Sequence, residues 1–502
     1  MSEIIVQRDS EADPDSAAAP PDGAAAGAAA PDPRRWKALG ALALVQFVIF
    51  LDATIVNVAL PSIRRDLGFS EGGLAWVVNG YLLAAGGLLL LGGRLSDLLG
   101  RRRMFSLGAA LFAVASLTAA LAQNPAMLIA SRFAQGTGEA LAAPAAMSMV
   151  ALLFTDEKER AKAFGIWGGL AGLGAAAGVL LSGVLTDLLS WHWVFFIGIP
   201  PCVASVLLVF RLVPESRVPE SRRRSLGSAL LLTAGLVAVI DGLLGATDHA
   251  WTSAAVLGPV AAGVVALAVF LAVQARSAAP LIPLGFFTSR TRATGYAAQL
   301  FMATATAAMF FLIVLYMQDT LHYSPLRSGL SWLPFTVAFM PGLVFSTKTM
   351  PKLGYRGELA IGLAVIAAGM FLFSRLGPDS SFLTGLLPAM ALAAFGSGVV
   401  APAMQVVALH GVSDADAGLG SGVLTTVQQV SQALGLSAIV AIGFSHQRSL
   451  LKAGISAASA NTQGRQLALE IATVVLLVGS VACLALLRKP APAAESAEPS
   501  TI

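Results

Sequence analysis

Apolar stretches long enough to cross a bilayer recur along this chain, and that repetition restricts its fold more than any other feature. A helix advances only about 1.5 Å per residue, so about 20 apolar residues are needed to span the hydrocarbon core. Windows of about 19 residues place fourteen predicted spans at 39–60, 74–93, 104–123, 127–153, 162–186, 193–213, 227–247, 253–274, 293–317, 328–346, 358–376, 382–408, 418–444 and 467–487. The fourth and twelfth are long and contain Pro144 and Pro402, which predicts a kinked helix at each rather than two short ones. Inside lipid every backbone polar group needs an internal partner, so these spans predict an all-α polytopic membrane protein. Composition agrees, because only 12% of the 502 residues are charged, about half the share usual in soluble domains.

The distribution of Lys and Arg gives the expected orientation. With the N-terminus inside, inner segments hold 23 basic residues, among them Arg94, Arg101 to Arg103, Lys158, Arg160 and Arg222 to Arg224, against 7 in outer loops. Basic residues are retained on the cytoplasmic side, so both termini are expected in the cytoplasm. The net charge of +4 is then an orientation signal, and the run "VPESRVPESRRR" reads as an inside anchor rather than a nucleic-acid patch. The Ala- and Pro-rich start and the end "PAPAAESAEPSTI" read as disordered tails, and the start lacks the long aliphatic segment of a signal peptide. Cys202 and Cys483 lie singly in apolar runs, with neither metal-ligand nor disulfide-framework spacing.

Polar motifs interrupt the spans at few places. The loop between spans 2 and 3 reads "GGRLSDLLGRRRM", with Gly93, Asp97, Gly100, Arg101 and Arg102 in order. Glycines permit a tight turn there, and Asp97 can pair with an arginine or cap a helix start. This loop resembles the signature of the major facilitator superfamily, although Leu98 stands where a basic residue is usual. Three further stretches resemble signatures of its fourteen-helix drug:proton antiporter family. They are "LDATIVNVALP" in span 1, "RFAQGTGEALAAP" in span 4 and "WHWVFFIGIPP" at the start of span 6. In span 5, "GLGAAAGVLLSG" keeps Gly174 and Gly178 as a small-residue packing face, but Ala175 replaces the family's proline and Val179 its second glycine.

The resemblance implies a 6+2+6 arrangement of 14 transmembrane helices. The expected parts are a tail at 1–36, a six-helix bundle at 37–213, a loop plus two inserted helices at 214–275, a second six-helix bundle at 276–488 and a tail at 489–502. Asp52 sits in the middle of span 1, where a charged carboxylate costs about 2.5–3.5 kcal/mol on the mildest scale. In span 4, Arg132, Gln135 and Glu139 share one helical face. Span 1 carries two polar faces, because Gln46 and Asn57 lie well round the helix from Asp52.

In the superfamily both helices line the central cavity. The resemblance therefore implies that Asp52, Asn57, Gln135 and Glu139 are candidates for the substrate cavity and that Asp52, Glu139 and Arg132 couple protons. Asp52 as a structural hydrogen-bond partner, and Glu139 as a structural partner of Arg132 or Gln135, are the alternatives.

No P-loop, HExxH, GxSxG or haem pattern is present, so the sequence does not read as an enzyme. The expectation is a proton-coupled secondary transporter of the bacterial cytoplasmic membrane, without cofactor, metal site or nucleic-acid partner. It would export hydrophobic, cationic drugs by alternating access. A transporter of one metabolite or lipid, in either direction, is the first alternative. A receptor or scaffold that moves nothing is the second. The oligomeric state is left open and is compatible with a monomer.

Overall fold

Several helices begin where the sequence supplies a capping oxygen. Ser70 accepts from the Gly73 N–H at 3.0 Å, Asn124 from Met127 at 2.9 Å and Asp156 from Glu159 at 2.9 Å, each satisfying a donor that has no partner inside its own helix. In the computed structural model the described residues are 34–217, 226–277, 280–282, 284–412 and 417–487. The expected tails before residue 34 and after residue 487, and Arg222 to Arg224 of the basic run, lie outside them.

The first helices are α1 (Arg35–Leu67), α2 (Glu71–Leu99), α3 (Arg101–Ala120), α4 (Pro125–Leu153) and α5 (Glu157–Leu188). After them come α6 (Trp193–Phe196), α7 (Ile199–Leu212), α8 (Leu226–Gly245) and α9 (Ala254–Arg276). The remainder are α10 (Arg290–Leu315), α11 (Pro325–Ser331), α12 (Leu333–Ser374), α13 (Leu387–Ala408), α14 (Ala417–Lys452) and α15 (Ala457–Leu486). No strand occurs among the described residues. α1 starts at Arg35, taking Arg35 and Trp36 from the expected tail. Arg35 bonds Glu159 at 2.6 Å, and Trp36 packs edge-on against Phe154 at 4.8 Å. α4 and α13 run through Pro144 and Pro402 without a break in assignment.

Thirteen helical stretches among the described residues are long and apolar enough to cross a membrane. One of them, Pro325–Ser374, has 50 residues, or about 75 Å of helix against a core of about 30 Å. Its backbone breaks at Gly354, with φ 65° and ψ 169°, a region essentially closed to residues with a side chain. Gly100, at φ 111°, occupies the corresponding place between α2 and α3.

Two packing groups result. α1 lies against α5 and α7, α2 against α4, and α3 against α4 and α7. In the second group α12 lies against α13 and α15, and α10 and α14 lie against each other and against α15. α8 and α9 pair with each other, and α8 rests on both α2 and α14. The groups meet along α2 and α14, α1 and α10, and α5 and α11.

Contacts at the Leu67 end of α1 are polar and close. Arg64 bonds Asp319 at 2.8 Å, and the Gln318 side chain donates to the Val58 carbonyl at 2.7 Å. α5 differs along its length. A Cβ built on Gly183 lies 2.9 Å from the Pro325 carbonyl at this end, whereas one built on Gly165, Gly168, Gly169 or Gly172 meets nothing within 4 Å. α5 is therefore covered by the second group at its Gly183 end and presents an open glycine face toward its other end.

Gly174 and Gly178 lie where α1 and α5 come into contact. A Cβ on Gly174 would stand 2.7 Å from the Cβ of Phe50, and one on Gly178 2.7 Å from the Leu51 carbonyl. Thr54 donates across this seam to the carbonyl of Ala175 at 3.2 Å, at the position where the family's proline is absent. Cys202 and Cys483 are free and buried.

Candidate functional site

The glycines of "QGTGEALAAP" determine where α4 sits. A Cβ on Gly136 would strike the Tyr81 carbonyl of α2, and one on Gly138 would lie 2.7 Å from the Gly108 carbonyl of α3. α4 is thereby drawn against α2 and α3, and its polar stripe is directed inward. Arg132 is 2% exposed, Gln135 0% and Glu139 6%, so each of these side chains depends on a protein partner.

Arg132 finds several. Its Nη1 donates to Asp52 Oδ2 at 2.6 Å and to Gln135 Oε1 at 2.8 Å, and its Nε donates to the Val77 carbonyl at 2.9 Å. The guanidinium lies over the Tyr81 ring at 4.4 Å and near that of Phe195 at 5.9 Å. Gln135 turns its amide nitrogen to Asp52 Oδ1 at 3.3 Å and to the Ser116 hydroxyl at 2.8 Å. Both carboxylate oxygens of Asp52 are thus engaged, and its charge is matched by a cation.

Glu139 is held differently. Its Oε1 accepts from the side-chain amide of Gln429 on α14 at 3.1 Å, a contact between the two packing groups. Its Oε2 closes no hydrogen bond, and no cation among the described residues lies within ion-pair distance of it. The Tyr81 hydroxyl lies beside Glu139. Nearby, Asn79 of α2 donates to Ser437 of α14 at 2.8 Å, a second polar link along the same seam.

The structure brings together Asp52, Arg132, Gln135 and Glu139 but leaves Asn57 apart. Asn57 is half-buried and donates to its own backbone at Ala53, 3.1 Å away. Tyr81, Ser116 and Gln429 join the site although sequence reading did not single them out individually. The stretch "TTVQQVSQALG" does show a polar face on α14, but nothing in it identifies Gln429 as the residue that meets Glu139.

At the far end of α2, Asp97 pairs with Arg101 at 2.9 Å. Gly93 packs 3.6 Å from Pro144 when a Cβ is built on it. The start of α3 is capped by Glu215, which accepts from the Arg102 N–H at 3.1 Å, and not by Asp97. Arg102 donates further to the Val213 carbonyl at 3.1 Å, and Arg103 approaches Glu215 at 3.6 Å. The first "VPES" of the basic run is therefore the docking partner of the loop. Asp241 on α8 is exposed. A separate cavity of about 190 Å³ lies between α2, α8 and α14, lined in part by Glu71, Asp248 and Arg448. Among the described residues no three His, Cys, Asp or Glu side chains cluster as metal ligands.

A long all-helical bundle with a buried ion pair and an acid shared between two packing groups defines a polytopic membrane transporter. The chain belongs to the Major Facilitator Superfamily, whose model matches residues 42–436, and it is a transporter rather than an enzyme. It is 38% identical to the lincomycin resistance protein of Streptomyces lincolnensis, covering 84% of this chain and 87% of that one. It is also 38% identical to the puromycin resistance protein of Streptomyces alboniger, covering 84% of each. Against the cephamycin export protein of Amycolatopsis lactamdurans the identity is again 38%, over 79% of this chain and 82% of the relative. The fold is similar to that of a bacterial homologue of the lysosomal transporter Spinster, with TM-score 0.67, 16% identity, and coverage of 91% and 97%.

Proposed function

We propose that this protein is a proton-driven exporter of hydrophobic, cationic small molecules in the bacterial cytoplasmic membrane. The observation that carries the reading is the buried site itself, where Asp52 and Arg132 are ion-paired at 2.6 Å and Glu139 touches the opposite packing group. Intramembrane acids are expensive to maintain, and function is the usual reason to retain them. The relatives named for lincomycin resistance, puromycin resistance and cephamycin export supply the substrate class by analogy.

In this reading the 50-residue stretch is two helices joined at Gly354, which makes fourteen spans. α1–α7 and α10–α15 are the two six-helix halves, with α8 and α9 inserted between them. The basic-residue distribution then sets both termini in the cytoplasm, so the Leu67 end of α1 faces outward and the open stretch of α5 inward. Asp52, Arg132 and Glu139 couple protons, Gln135 lines the substrate path, and Asn57 contributes only if helix 1 turns. The loop of Gly93, Asp97, Gly100, Arg101 and Arg102 gates the inner side while docked on Glu215. Protons replace any cofactor, the bilayer is the only obligatory partner, and a single chain contains the whole site.

A narrower reading is favoured by the relatives' names, since several carry one compound each, actinorhodin among them. Export of a single antibiotic-like metabolite is then the alternative on the same site. Inside-out vesicles test both, with ethidium transport and internal pH followed together. Ethidium-dependent discharge of the proton gradient, abolished in Asp52→Asn, supports the broad reading. Absence of ethidium transport with transport of one antibiotic from a panel supports the narrow one.

A further inference from the structure

Asp52 and Glu139 occupy one buried site but are bound in opposite ways, and the contrast separates their roles. Asp52 has a cation at 2.6 Å and an amide at 3.3 Å, so both its oxygens are used. Drawing its charge toward a substrate would leave Arg132, 2% exposed, without a counter-charge. Glu139 is 6% exposed and has no cation within ion-pair distance among the described residues. Its own Oε2 and the Gln429 Oε1 are buried with no closed hydrogen bond among the described residues, and the Tyr81 hydroxyl lies beside them. They come from α4, α14 and α2, so the group straddles both halves.

We propose that Glu139, Gln429 and Tyr81 form the recognition site for the positive charge of the substrate, while the Asp52–Arg132 pair beside it holds α1 and α4 in position and takes its part in proton coupling without contacting the substrate. The assignment rests on the transport reading above and deepens it. A cation at Glu139 satisfies Oε2 directly and the carbonyl of Gln429 beside it, removing two orphaned acceptors at once. Glu139 then exchanges its proton for the substrate's charge, one positive charge leaving as the other arrives. Gln429 transmits the exchange, because its amide is the contact by which the second half touches the acid.

Other charged groups do not take this part. α1 presents Asp52, already paired, and Arg132 on α4 itself is committed to Asp52. α2 presents the Tyr81 hydroxyl, α3 carries no ionisable side chain beyond Arg103, and α14 presents the uncharged Gln429. Neutral substrates of similar size have no use for the carboxylate.

The test uses the purified full chain in lipid nanodiscs, with ethidium as the cationic probe and Nile red as the neutral one. Glu139→Gln keeps the shape and the hydrogen bond to Gln429. It is expected to weaken ethidium binding by about tenfold or more, to remove the tightening of ethidium binding with rising pH, and to leave Nile red unaffected. Gln429→Leu is expected to weaken ethidium binding severalfold while that pH dependence persists. Proton release on ethidium binding should occur in wild type and disappear in Glu139→Gln. Equal loss for both probes, or pH-dependent ethidium binding that survives Glu139→Gln, overturns the assignment while leaving the transport reading in place. A wild type that binds neither probe overturns the assignment together with the broad-substrate reading and leaves export of a single compound.

Discussion

Asp52 of α1 and Arg132 of α4 form an ion pair at 2.6 Å with side chains only 5% and 2% exposed. The pair ties together two helices that otherwise touch only lightly, and Gln135 and the Val77 carbonyl complete its hydrogen bonds. Its contribution to stability lies less in the attraction than in the penalty for breaking it.

Removing one partner should therefore be severe. Asp52→Ala strands a buried guanidinium and is expected to lose about 3–5 kcal/mol of stability. The double variant Asp52→Leu with Arg132→Leu should recover much of that loss, since no charge is left unpaired. Thermal unfolding in detergent checks this. A single variant that melts with wild type would contradict it.

The seam between α1 and α5 predicts a contrast between glycines of one helix. Gly178→Leu drives a side chain into the Leu51 carbonyl and the Thr54 hydroxyl and should abolish the folded, monodisperse protein. Gly165→Leu, with nothing within 4 Å of its Cβ, should be recovered at wild-type yield. Size-exclusion profiles of the two variants decide the matter, and equal yields would argue against the packing described.

Arg64 and Asp319 form an ion pair that joins α1 to the helical turn following α10. Both are part-exposed, so the pair contributes about 0.2–1 kcal/mol, at most a roughly fivefold bias toward the closed contact at the Leu67 end of α1. Arg64→Glu is expected to increase labelling of cysteines placed at the seam beside Arg64 by up to about fivefold, and Arg64→Glu with Asp319→Arg to restore it. Unchanged labelling in the single variant would show that apolar contacts alone close this end.

Gly354 should not tolerate a side chain. At φ 65° and ψ 169°, Gly354→Ala is expected to destabilise the protein by about 1–3 kcal/mol. Alanine at Gly165, where φ is helical, provides the control in the same melting assay. Equal melting temperatures would mean that the turn at 354 relaxes without penalty.

Much of this protein is legible in its sequence. Hydropathy marked the chain as many apolar helices because burial in lipid acts on each helix separately, although thirteen candidate stretches among the described residues stand against the fourteen expected, and α2, α4 and α5 carry their own capping oxygens. Helical periodicity also put Arg132, Gln135 and Glu139 on one face, since residues three, four and seven apart are neighbours on any helix. The glycines of α4 and α5 signalled close approach without naming the neighbour.

Partnership was decided only in three dimensions. Asp52 and Arg132 are 80 residues apart, and Glu139 and Gln429 are 290 apart. Two polar faces on α1 left its orientation open, and packing turned Asp52 to Arg132 while leaving Asn57 on its own backbone. The cap on α3 likewise came from Glu215, 113 residues beyond the Arg102 N–H that it accepts from. A sequence fixes local periodicity because helical geometry is the same everywhere. Which faces meet depends on the crossing and rotation of many helices at once, and that is set by the sum of all their contacts.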